Sequence, residues 1–138
     1  MSRLRAALVL LLTTSSLVLV AVSPASAAPT LALDVGSVTL VANGAAVRVQ
    51  ITATCFEGDV GGITPTVTQA AGDRVAQGTQ AQSFTCTGQP QQFSILVLAN
   101  VNGAPFRTGV ALVTTQLQSC PGANCTTIQT DEVVRIRR

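Results

Sequence analysis

The chain contains no His, no Trp and no Tyr, and all eight of its basic residues are Arg, so Lys is absent as well. Each gap excludes chemistry. Without His there is no Ser-His-Asp or Cys-His constellation, no usual general base and none of the commonest metal ligand. Without Lys there is no Schiff-base chemistry and no Ser-Lys dyad. No P-loop or dinucleotide fingerprint occurs. Four Phe are the only aromatics, and charged residues make up only 10% of the chain. Carboxylates are the remaining acid–base candidates, and the aromatic platforms usual in sugar sites are missing. The expectation is a protein that is not an enzyme and carries no cofactor.

What is present begins with a leader. Arg3 and Arg5 precede the apolar run Ala6 to Ser23, and Pro24 and the small residues Ala25-Ser26-Ala27 follow at cleavage-site distance. This is the layout of a secretory signal peptide. It predicts a leader over residues 1–27 and one domain over 28–138. A retained membrane anchor is the competing reading; cleavage would leave no membrane span. The leader removes two arginines, so six remain against six carboxylates, and the mature chain is formally neutral. A neutral domain predicts no broad field for nucleic acid or an anionic membrane.

After the leader the pattern is that of strands. In "VRVQITATC", Val47, Val49, Ile51, Ala53 and Cys55 alternate with Arg48, Gln50, Thr52 and Thr54. Such alternation marks a half-buried strand. "QFSILVLAN" places Phe93, Ile95, Val97 and Ala99 on one face, but Leu96 and Leu98 make the other apolar too, which predicts a central or doubly covered strand. Pro65 inside "ITPTVTQ" removes a donor and predicts an edge strand. Turn residues such as Asn43-Gly44, Gly72-Asp73 and Pro121-Gly122 recur between apolar segments. No 3.6-residue period follows the leader. About seven to eight short strands predict an all-β fold, an immunoglobulin-like antiparallel β-sandwich with two disulfides. A closed barrel is the runner-up.

Four cysteines in an exported domain predict two disulfides, and sequence alone allows three pairings. Cys55 and Cys86 each end a core-facing strand, which favours Cys55–Cys86 across the sandwich. Cys120 and Cys125 flank Pro-Gly-Ala-Asn, where Gly122 can supply the positive φ of a tight turn, which favours Cys120–Cys125. A four-thiolate zinc site is the rival, but there is no His and no close C-x-x-C pair. Loops on a rigid scaffold are the usual contact surfaces. The candidates here are Phe56, Glu57 and Asp59 in the first, and Pro121, Gly122 and Asn124 in the second. Glu57 and Asp59 could instead take calcium, although such sites need more oxygen ligands. Asn124-Cys125-Thr126 matches a glycosylation sequon. The C-terminal "RIRR" reads as an edge strand with Val134 and Ile136 inward and Arg135 and Arg137 outward. Phe84, Phe93 and Phe106 read as core.

The leader ending "SPASAAPT", the lack of Lys and the order "TC…G…TVTQ…G…CTG…FSILVL…F..G.A.V…C….C…V.IR" resemble uncharacterised secreted actinobacterial β-sandwich proteins over nearly the whole mature chain. The C-x4-C turn near the C-terminus, Cys120 and Cys125, is also similar to that of the neocarzinostatin-type apoproteins. Those are secreted immunoglobulin-like sandwiches with two disulfides and an aromatic-rich ligand cleft. The first resemblance implies secretion and brings no biochemical role; the second implies the fold. The function expected is a binding or structural role at the cell surface or in the medium. The partner would be a protein or small molecule, with no nucleic acid. The alternatives are a carrier of a small apolar ligand and a disulfide-braced protease inhibitor.

Overall fold

A computed structural model describes residues 30–138. The predicted leader over 1–27 lies outside them, and so does its cleavage site. Eight strands follow in order: β1 (Ala32–Val41), β2 (Ala46–Thr54), β3 (Val60–Ala71), β4 (Arg74–Thr79), β5 (Gln82–Thr85), β6 (Gln91–Leu98), β7 (Gly109–Cys120) and β8 (Thr126–Arg137). A single short 3-10 turn, Ala42–Gly44, joins β1 to β2.

The strands form one curled, sandwich-like sheet in the order β4-β3-β7-β8-β1-β2-β6, with β5 also pairing β3. One layer is β1-β2-β6 and the other β4-β3-β7-β8, the connectivity of an immunoglobulin-like sandwich. All pairings are antiparallel except β1 with β8, which is parallel at Val38–Ile136 and Thr39–Arg137. The sheet is therefore mixed. β1 makes the corner. Its register against β2 shifts between Val35 and Val38, over Gly36 and Ser37, and the strand then meets β8. A bulge bends a strand and raises its twist, which is what a corner requires. Just before it, the Val35 amide donates to Glu132 Oε1 at 3.2 Å.

Alternation in β2 is obeyed: Val47, Val49, Ile51 and Ala53 are buried. They meet Ile95 and Val97 of β6 and, from the other layer, Ile63, Val67, Val113, Leu117 and Ile136. Phe106 is buried in the same core, at 1% exposure, while Phe84 and Phe93 pack against its margin with ring centroids 4.4 Å apart.

Three placements differ from the sequence reading. β6 ends the sheet, and Leu96 and Leu98 are exposed. β8 is flanked by β7 and β1, so it is not an edge strand. Pro65 is interior too, because β3 pairs with β7 on one side and with β4 and β5 on the other. The proline is tolerated because β4 stops at Thr79 and β5 starts at Gln82. In a strand a residue's N–H and C=O point to the same side. The Pro65 carbonyl accepts from the Gln80 amide at 3.2 Å, so its missing donor faces the break, where no ladder partner is due. The break falls at Gln80 and Ala81.

Gly78 has a different role. A Cβ there would collide with the Leu98 carbonyl oxygen. The two ends of the sheet approach each other here. The Asn100 amide donates to the Gln77 carbonyl at 2.7 Å, and the Ala104 amide donates to the Val75 carbonyl at 3.1 Å. The sandwich is thus nearly closed along this seam, without a continuous ladder.

Candidate functional site

Strand direction decides which loops meet. β2, β5 and β7 end, and β3, β6 and β8 begin, at the same end of the sandwich. Cys55 follows β2 in one layer and Cys86 follows β5 in the other. They are bonded, with Cα atoms 5.5 Å apart, and both are buried. Cys120 closes β7, and its bond to Cys125 seals the β7–β8 hairpin, whose last pair is Ser119–Thr126. Both disulfides stand as expected. All four thiols are committed, which removes the four-thiolate zinc reading.

The two disulfides serve different places. Cys55–Cys86 ties the layers together inside the core. Cys120–Cys125 is on the surface, and Pro121 through Cys125 are exposed. Gly122 takes φ +126°, the positive φ expected of this turn.

Beside this hairpin lies the loop Phe56–Asp59. The Asp59 amide donates to the Phe56 carbonyl at 3.1 Å, which closes a tight turn. The Gly58 amide donates to the Cys86 carbonyl, and the Cys86 amide to the Asp59 carbonyl, both at 3.0 Å. The turn is thereby tied to the far side of the disulfide. Glu57 projects outward and is exposed. Asp59 turns inward, is 7% exposed, and accepts a 2.6 Å hydrogen bond from Ser119 Oγ at Oδ2. The two carboxylates diverge, so they do not form the shared calcium site considered from sequence. Among the described residues no group of three or more Asp, Glu or Cys gathers as a metal cage.

A third segment completes this end. Thr87–Pro90 runs beside Glu57, since a Cβ on Gly88 would come within 3.2 Å of the Glu57 Cβ. Gln91 braces it, accepting from the Thr87 amide and donating to the Thr85 carbonyl, each at 3.2 Å. Val60 pairs with both Thr85 and Cys120 and is 62% exposed.

The candidate residues Phe56, Glu57, Asp59, Pro121, Gly122 and Asn124 therefore fall at one end of the molecule. Asp59 is an internal brace and the other five are at least partly accessible. The sequence reading missed Ser119, the Thr87–Pro90 loop and Val60. Ser119 beside Cys120 carries no signal until β3 and β7 are known to pair. No protein-family model matches this chain, and a search of curated proteins returns no match.

Proposed function

We propose that this is an exported, non-enzymatic binding module that offers the disulfide-braced loop end to a protein partner. The observation that carries the reading is the convergence of both disulfides on one end, where they hold Phe56–Asp59 and Pro121–Asn124 side by side. Loops fixed in one conformation lose less entropy on binding. Exposed Val60 beside a polar rim of Glu57 and Asn124 is the composition of a small contact patch. Two disulfides point to an oxidising, extracellular-type environment. No helix among the described residues is long and apolar enough to cross a membrane.

The carrier alternative finds less support. Val47, Val49, Val113 and Phe106 fill the space between the layers. An open depression of about 650 Å³ is lined by two arginines, an asparagine and a threonine beside its apolar residues. An apolar ligand needs an apolar enclosure.

The test is capture from culture medium with immobilised protein, comparing wild type with Glu57→Arg and Asn124→Arg. A partner retained by wild type and by Arg135→Gln but lost by both loop variants supports the reading. Equal capture by the loop variants, or no specific capture at all, refutes it.

A further inference from the structure

The formal charge balance hides a segregation. β1, β3, β6 and β8 end, and β2, β4 and β7 begin, at the end opposite the disulfides. Arg48 is the third residue of β2, Arg74 opens β4, Arg107 lies two residues before β7, and Arg135, Arg137 and Arg138 fall in the last four residues of the sequence. All six arginines of the described residues therefore belong to one end. Of the carboxylates only Asp73, in the β3–β4 turn, shares it; Asp34, Glu57 and Asp59 lie towards the other end, and Asp131 and Glu132 along β8. At about 3.3 Å per residue the separation is roughly 30 Å for Glu57 and Asp59 but only about 10 Å for Glu132, three residues before Arg135 on β8. A neutral chain thus carries a positive pole, which the net charge conceals.

Within that pole lies an open depression of about 650 Å³ whose polar lining is Asn43, Arg107, Thr108 and Arg138. Arg74, at the same end, is occupied with the Asn102 and Gly103 carbonyls at 3.2 and 2.9 Å.

A second observation falls on the same rim. Ala42 and Asn43, with φ of 50° and 54°, are the only non-glycine residues of positive φ among the described residues, and both line this depression. L-residues adopt that conformation rarely, and such positions cluster where function fixes the backbone. The turn is held from behind. The Phe106 amide donates to the Gly44 carbonyl at 2.8 Å, and a Cβ on Gly44, at φ +96°, would collide with the Phe106 carbonyl. Locked against the buried Phe106, the turn fixes Asn43 at the mouth next to Arg107.

We propose that this depression binds a phosphate-type oxyanion, with the Arg107 and Arg138 guanidinium groups supplying charge and paired donors, and Thr108 and Asn43 supplying further donors. A planar carboxylate is satisfied by one guanidinium fork. Here donors come from three separate segments of chain around an open volume, which suits a tetrahedral group carrying a substituent that leads into solvent. Arginine is the side chain suited to that recognition. Free phosphate esters and the phosphodiesters of a lipid surface both carry this group.

The experiment is a titration of the purified protein followed by amide chemical shifts at constant ionic strength. The probes are inorganic phosphate and acetate, with a parallel sedimentation arm using phosphatidylglycerol and phosphatidylcholine vesicles. The expected result is saturable movement of the Asn43, Arg107 and Thr108 amides with phosphate, at least fivefold tighter than with acetate. The paired change Arg107→Gln and Arg138→Gln, both at exposed positions, should weaken it at least tenfold, and Arg135→Gln less than twofold. Cosedimentation with phosphatidylglycerol vesicles alone, lost in the paired variant, assigns the source to a lipid; phosphate binding without it assigns a soluble ester. Non-saturable or dispersed shifts in the wild type, or equal binding by the paired variant, overturn the proposal.

Discussion

Ser119 Oγ donates a 2.6 Å hydrogen bond to Asp59 Oδ2 across 60 residues of sequence, and both side chains are buried. The bond joins the base of the Phe56–Asp59 turn to β7 one residue before Cys120. It welds the neighbourhoods of the two disulfides into one rigid end.

Removing the donor should therefore cost more than a surface hydroxyl would. Ser119→Ala leaves a buried carboxylate short of a partner, and a loss of about 1–3 kcal/mol is expected. Urea denaturation measures it. Ser119→Thr, which keeps the hydroxyl, should recover part of the loss. A change below about 0.5 kcal/mol for Ser119→Ala would show that the bond contributes little.

The disulfides should rank by the loop each closes. Cys55 and Cys86 are 31 residues apart and Cys120 and Cys125 are 5 apart. On the chain-entropy account, removing the first should cost roughly 3–4 kcal/mol and removing the second about 2 kcal/mol. Paired replacements, Cys55→Ala with Cys86→Ala and Cys120→Ser with Cys125→Ser, compared by thermal melting under non-reducing conditions, test the order. A larger loss from the surface pair would mean that the hairpin has a role beyond loop closure.

Thr115 offers a gain instead of a loss. Its hydroxyl is fully buried on the inner face of β7 and has no hydrogen-bond partner. Valine has nearly the same shape without the unsatisfied group. Thr115→Val should raise stability by about 1 kcal/mol, read as a higher melting temperature. A lower melting temperature would indicate that an internal water or an alternative rotamer satisfies the hydroxyl.

The sequence carried much of this fold. Period-two alternation placed Val47, Val49, Ile51 and Ala53 inside, and the strand-end positions of Cys55 and Cys86 led to their pairing. Edge assignments failed for a common reason. Pro65, Leu96 and Leu98 carry only local signals, whereas partner strands are set by topology. Pro65 escapes because a break in the neighbouring strand faces it. The candidate loops were legible as loops, and their shared end was not, since that depends on strand direction in three dimensions. The arginines show the same limit. Arg48, Arg74 and Arg107 are scattered along the chain and become one pole only when the strands are laid side by side.

The seam between the sheet ends supplies the last expectation. Gly78 lies so close to the Leu98 carbonyl that a methyl group cannot enter without moving backbone. Backbone held by the bonds from Asn100 to Gln77 and from Ala104 to Val75 yields poorly. Gly78→Ala should cost roughly 3 kcal/mol, at the upper end for overpacking. Gly62→Ala is the control. Its Cβ would meet nothing nearer than the Gln118 Oε1 atom at 3.9 Å, so that variant should be near neutral. Hydrogen exchange separates local from global damage. If the seam opens alone, the Asn100 and Ala104 amides lose protection while Val49 and Ile51 in β2 keep theirs. Unchanged protection at Asn100 together with wild-type stability would mean that the sheet ends are not held in contact, and that the layers are closed by core packing without the seam.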